Sequence, residues 1–146
     1  LARVRRDILA VPRERATVLA EVGSMRARWR AERDRSDERQ LDLKQGHGGL
    51  LDIEFALQGL VLAHAAEQPG LLGVTANAGL IEACRAAGLL DSNQSAILTV
   101  AHADLLQRAL ACTLDLRSRI TPRDAELEQL CGSVREVTDA LGFAFD

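Results

Sequence analysis

The run best suited to chemistry is Asp42-Leu43-Lys44-Gln45-Gly46-His47-Gly48-Gly49-Leu50-Leu51-Asp52-Ile53-Glu54-Phe55, where a basic, glycine-rich loop leads directly into an apolar helix. Glycines at 46, 48 and 49 admit backbone conformations and close approaches that a Cβ resists, and a helix start leaves amide N–H groups without intrahelical partners. Two readings follow. The junction can receive an anion on those amides, or it is a tight turn that lets two helices pack closely.

Lys44 is the only lysine in a chain that otherwise uses arginine. An ammonium two positions before a glycine loop suits a phosphate or carboxylate. The order is wrong for a Walker A loop, which places Lys-Ser/Thr after its last glycine, so an independent nucleotide hydrolase is not indicated. His47 could titrate or ligate, although a lone loop histidine is ordinarily solvated. Asp52 and Glu54 fall in the first helical turn, where negative charge is favoured. Two positions apart, they point in different directions, which argues against a shared metal and for capping or pairing with an N-terminal arginine. Glu54 lies close to an apolar face and would need a partner if buried.

Other reactive patterns are missing from the sequence. It holds no nucleophile elbow, His-Glu-x-x-His, CxxC pair or dinucleotide fingerprint. Gly23-Ser24 and Gly132-Ser133 sit in helical contexts without the Asp-x-Asp that would hold catalytic metals in a nucleotidyltransferase. By itself this chain is expected to be non-catalytic, with no metal and no cofactor of its own. Cys84, Cys112 and Cys131 are odd in number and widely spaced, which predicts buried reduced thiols in place of a disulfide framework or zinc site.

The elements that position the loop follow from periodicity. Apolar residues 1, 4, 8 and 9 predict the tail of a helix beginning before this sequence. After Pro12, a long helix is expected over Arg13–Arg35, with Val18, Leu19, Val22, Met25, Arg26 and Trp29 along one side and Trp29 read as a packing residue. Ser36–Gln40 is polar and reads as loop, and Leu41–Lys44 alternates as a short extended piece. A mostly buried helix follows over Gly49–Ala66. Thr75 or Asn77 caps the next, which Gly88 stops. Asp91 or Ser92 opens a helix through Arg117, Thr121-Pro122-Arg123 is a break, and a last helix covers Asp124–Leu141 before Gly142.

Composition agrees with this pattern. At 146 residues, with 47% hydrophobic content, 3% aromatics and three prolines, the chain suits one helical domain with a real core. The expected fold is all-α: an up-and-down helical bundle over 41–146 with a long Arg-rich helical arm over 1–40. Residues 1–40 carry eleven Arg against seven Asp/Glu, and the remainder seven Lys/Arg against fourteen. The arm lacks interleaved aromatics and intersperses its arginines with acids, so nucleic acid is not the expected partner. No apolar run approaches the roughly 18 to 20 residues of a membrane span and no signal peptide is evident, so a cytoplasmic location is expected.

Taken with its flanks, the central run carries a family pattern. Asp42-Leu43-Lys44-Gln45-Gly46-x-Gly48-Gly49-Leu50-x-Asp52-Ile53-Glu54-Phe55-x-x-Gln58-x-Leu60-Val61-Leu62 closely resembles the segment after the nucleotidyltransferase domain in bacterial bifunctional glutamine synthetase adenylyltransferase/adenylyl-removing enzymes. Related uridylyltransferases share a looser form. Met25-Arg26-x-Arg28 before it, and Pro69-x-Leu71, Asn77 and Ala87-Gly88-Leu89-Leu90 after it, extend the resemblance over residues 13 to 115.

The resemblance implies an accessory helical domain, more like that of the C-terminal, adenylylating half, beside a catalytic domain outside this sequence. The whole enzyme would use ATP and magnesium to transfer AMP to a tyrosine of glutamine synthetase and remove it by phosphorolysis. In that setting Lys44, Gly46, Gly48 and Gly49 would face the nucleotide cleft, while Asp52, Glu54 and Gln58 anchor the loop. The implied partners are the enzyme's own nucleotidyltransferase domain, glutamine synthetase and the PII signal protein. A regulatory module that binds the PII protein or glutamine synthetase, and a structural spacer, are the alternative roles.

Overall fold

A computed structural model describes residues 2–146. Helices α1 (Ala2–Leu9), α2 (Arg15–Arg33), α3 (Leu50–His64), α4 (Asn77–Ala86), α5 (Ser92–Leu114) and α6 (Ala125–Ala140) make an all-α bundle, with a 3₁₀ turn at Pro69–Leu71. Two short strands, β1 (Gln40–Asp42) and β2 (Ile120–Pro122), pair antiparallel with Leu41 opposite Thr121. Position 1 of the predicted first helix lies outside the described residues.

α3 is the central helix and packs against α2, α4, α5 and α6. Its sequence explains this position: Leu51, Ile53, Ala56, Leu57, Leu60 and Val61 are buried and only Glu54 is exposed between them, as expected of a helix apolar on most sides. Gly59 lets the ring of Phe143 approach so closely that a Cβ would stand 2.6 Å from its Cε1. Phe143 and Phe145 stack at 5.3 Å between centroids and carry the segment after α6 back over α3. Gly23 on α2 meets the same segment, where a Cβ would lie 2.6 Å from the Ala144 carbonyl oxygen.

Local signals set most helix ends. Asp91 caps α5 in a full capping box with Gln94, and Asp124 accepts from Leu127 N at the start of α6. α5 ends at Leu114, three residues before the expected Arg117. Thr121 and Pro122 of the expected break Thr121-Pro122-Arg123 join Ile120 in a strand instead, because β1 offers its ladder partners. α4 begins after Ala76, with no side-chain cap from Thr75 or Asn77.

The inward side of α2 agrees with expectation at Val18 and Arg26 and differs at Met25 and Trp29. Met25 and Trp29 are exposed at 44% and 36%, while Val18, Gly23, Arg26 and Arg30 are buried. The helix is turned by its arginines, which reach a carboxylate inside the bundle. Trp29 instead meets Phe55 edge-on at 5.4 Å and carries the Arg33 guanidinium 4.7 Å above its ring.

Candidate functional site

Asp42 shapes the start of the glycine loop, accepting from the amides of Lys44 and Gln45 through Oδ1 at 2.9 Å each. The turn then closes on itself, with Gly46 N donating to Asp42 O, Gly49 N to Gly46 O, Leu50 N to Leu43 O and Leu51 N to Lys44 O. Gly48 N donates to Asp52 Oδ2 at 2.7 Å. These bonds make the run a tight turn and occupy the amides that the anion reading required. Gly48 has φ +73°, and a Cβ built there would fall on the Cys131 carbonyl of α6. The glycines therefore bring loop and α6 into backbone contact.

Beneath the turn is a buried ion cluster. Asp52 is 1% exposed and takes Arg26 Nε on Oδ1 at 2.7 Å, and Arg30 Nη2 on Oδ1 and Oδ2 at 2.6 and 2.7 Å. Arg26 Nη2 also donates to Gln45 O at 2.6 Å, and Arg30 Nη1 to Phe145 O. One carboxylate thus ties α2, the loop, α3 and the segment after α6 together. Burial pushes the Arg26 guanidinium below its ordinary pKa against the opposing pull of Asp52. Asp52 pairs with N-terminal arginines, one of the two roles its sequence position offered. Glu54 is exposed and Gln58 half-buried, so Glu54 needs no interior partner.

The side chain of Lys44 is half-buried and borders two hollows. The larger, about 700 Å³, opens between the end of α2, the loop and the α5–β2 link, with Arg33, Arg35, Lys44, Arg117 and Arg119 on its walls. The smaller, about 210 Å³, adds Glu54, Asn77 and His102 to Lys44 and Arg119. Lys44 and Arg119 belong to both. Among the described residues, neither they nor Arg35 has a carboxylate oxygen within 4 Å. Unpaired cations around a concave surface suit a multiply charged anion such as a phosphate chain.

The sequence pointed to Lys44 but missed Arg119, which carries no motif of its own. It reaches the loop because Leu43 N donates to Arg119 O at 2.9 Å beside the β1–β2 pair.

Of the acids near the cleft, Asp34 accepts from Ser36 N and Oγ and Asp42 from the loop amides, while Glu32 and Glu54 stand on the walls as exposed side chains. Among the described residues no group of three or more His, Cys, Asp and Glu could hold a metal. Among the same residues no helix is long and apolar enough to cross a membrane.

Comparison with known proteins agrees with the central motif. The family described as GlnD PII-uridylyltransferase matches residues 23–144. A bifunctional glutamine synthetase adenylyltransferase/adenylyl-removing enzyme from Xanthomonas axonopodis pv. citri is 44% identical over 144 residues, covering 99% of this chain and 15% of the relative. Enzymes of the same name from Psychromonas ingrahamii and Nitrosococcus oceani are 36% and 41% identical, over 86% and 79% of this chain and 13% and 12% of their own lengths. The chain thus spans about 15% of the length of the first of these relatives. With its all-α fold and this match, the chain belongs to the GlnD PII-uridylyltransferase family and corresponds to one domain of the larger adenylyltransferase/adenylyl-removing enzymes.

Proposed function

We propose that this chain is the accessory helical domain of a cytoplasmic glutamine synthetase adenylyltransferase, and that its cationic cleft contributes to the nucleotide site of a neighbouring nucleotidyltransferase domain. The whole enzyme would transfer AMP from ATP to glutamine synthetase, while this domain supplies binding and orientation without the reacting groups. The supporting observation is the pair Lys44 and Arg119, shared by two adjoining hollows and free of carboxylate partners among the described residues. Gly46, Gly48 and Gly49 act indirectly, because their compact turn fixes where Lys44 emerges, and Asp52 holds that turn through Gly48 N. Glu54, on the wall of the smaller hollow, limits which charge can enter it.

Lys44→Ala in the full-length enzyme tests this reading. Loss of one charge-assisted phosphate contact is expected to raise KM for ATP about tenfold or more, with thermal stability unchanged within about 0.5 kcal/mol. Unchanged kinetics at unchanged stability would sink it. A second reading, a docking module for the PII signal protein or glutamine synthetase, draws on the exposed leucines of α5. Titration of Leu114→Asp and the parent enzyme with the PII protein separates the two, since a docking role on α5 predicts weakened binding by the variant and the nucleotide role predicts no difference.

A further inference from the structure

α4, α5 and α6 end with the same hydrogen-bond pattern, in which a residue in left-handed conformation is followed by an amide reaching back into the last turn. In α4 the left-handed residue is Gly88, at φ +73°, with Leu89 N donating to Cys84 O. In α6 it is Gly142, at φ +92°, with Phe143 N donating to Thr138 O. In α5 the same position holds Leu116 at φ +54°, with Arg117 N donating to Cys112 O. Among the described residues Leu116 is the only non-glycine at positive φ. A leucine is disfavoured there by its Cβ, and its side chain is 95% exposed, so no packing within this chain offsets the strain.

The strained leucine does not stand alone. Leu106, Leu110 and Leu114 follow at four-residue spacing and are 41%, 54% and 84% exposed, which aligns them along one side of the helix. The opposite side of α5 carries the buried Leu98, Leu105 and Cys112. α5 is therefore apolar on both sides, though only one is covered. The exposed stripe runs along the candidate site, since Leu106 and Leu110 line the smaller hollow and Leu116 the larger.

We propose that Leu106, Leu110, Leu114 and Leu116 seat another domain of the same polypeptide, which closes over the Lys44–Arg119 cleft. The occupant follows from two facts. Curated relatives devote only about 15% of their length to this domain, leaving further domains available in the same chain. The stripe is also continuous with the cleft, so whatever covers it borders Lys44 and Arg119. The inference rests on the chain being one domain of a larger enzyme and is independent of whether nucleotide enters the cleft.

A photoreactive amino acid placed at position 114 of the full-length enzyme tests the proposal. The expected product is a crosslink to a peptide of the same polypeptide outside this domain, lost on Leu110→Asp or Leu116→Gly, with melting of the enzyme monitored in parallel. Should Leu110→Asp disturb folding, Leu116→Gly is the deciding variant, because it removes strain together with the side chain. A crosslink confined to a second copy, to added glutamine synthetase or to this domain, no crosslink at all, or one surviving Leu116→Gly in folded enzyme overturns it. If the interdomain crosslink forms while Lys44→Ala leaves kinetics unchanged, the seat stands and the nucleotide role falls.

Discussion

Arg30 grips Asp52 with one nitrogen, Nη2, placed 2.6 and 2.7 Å from the two carboxylate oxygens, and Arg26 adds a second guanidinium at 2.7 Å. With Arg26 at 0% and Asp52 at 1% exposure, two cations share one anion inside the bundle. Asp52→Asn would leave Arg26 without a carboxylate partner and Arg30 with only Asp146, 3.9 Å away, and a loss of about 3–5 kcal/mol is expected in urea unfolding. Adding Arg26→Met to that variant should recover part of the loss, because one unpaired buried charge goes with it. A double variant no more stable than Asp52→Asn would contradict this account.

Gly48 unites a positive φ with backbone contact against Cys131. Gly48→Ala is therefore expected to cost about 2–5 kcal/mol, the sum of left-handed strain and overpacking. Gly132, inside α6 with nothing near its missing Cβ, is the control. Gly132→Ala should be neutral or stabilise by up to about 1 kcal/mol. Chemical denaturation of the two variants side by side distinguishes steric demand from a general intolerance of alanine.

The left-handed Leu116 gives a prediction of opposite sign. Replacing it with glycine relieves the conformational cost without removing any burial, since the side chain is 95% exposed. Leu116→Gly should raise the stability of the 146-residue chain by about 1 kcal/mol, read as an upward shift of the denaturation midpoint. A lower midpoint would show that the leucine packs within this domain.

Two histidines make stability pH-dependent. His47 Nδ1 lies 3.0 Å from Asp146 Oδ1, yet burial, with Arg30 and Arg135 nearby, holds its pKa below the ordinary histidine value. Burial and Arg15 do the same for His64. The unfolded chain takes up protons at these sites more readily than the folded one, so stability is full at neutral pH and falls as pH drops below about 6.5. Urea midpoints at about pH 7.5 and about pH 5.5 measure the slope above the range where most carboxylates titrate. His47→Gln with His64→Gln should flatten it.

The thiols should be silent in the native chain. Cys84 and Cys131 are buried, which pushes each pKa up to about 11, and Cys112 is buried as well. An aromatic disulfide reagent at about pH 8 is expected to label none of them until denaturant is added, and then all three. Rapid labelling of native protein would mean local opening around α4, α5 or α6.

Much of the architecture was legible because it depends on near neighbours. The Asp91 cap, the stops at Gly88 and Gly142 and the apolar repeat of α3 are local terms, and each acted as its chemistry requires. The reading of α2 held at Val18 and Arg26 and failed at Met25 and Trp29, which are exposed, and at Arg30, which it did not place inside. Burial there is dominated by Arg26 and Arg30, whose partner Asp52 is more than twenty residues away in sequence.

The sequence alone determined the helices and the family motif, because periodicity, capping and backbone freedom operate over a few residues, whereas the glycine run kept two readings until its hydrogen bonds were seen. Tertiary structure alone decided which charges went inside, that β2 would pair with β1, and that Arg119 would stand beside Lys44. Those relationships join residues dozens of positions apart, and only a specific packing of the helices supplies the partners that make them favourable.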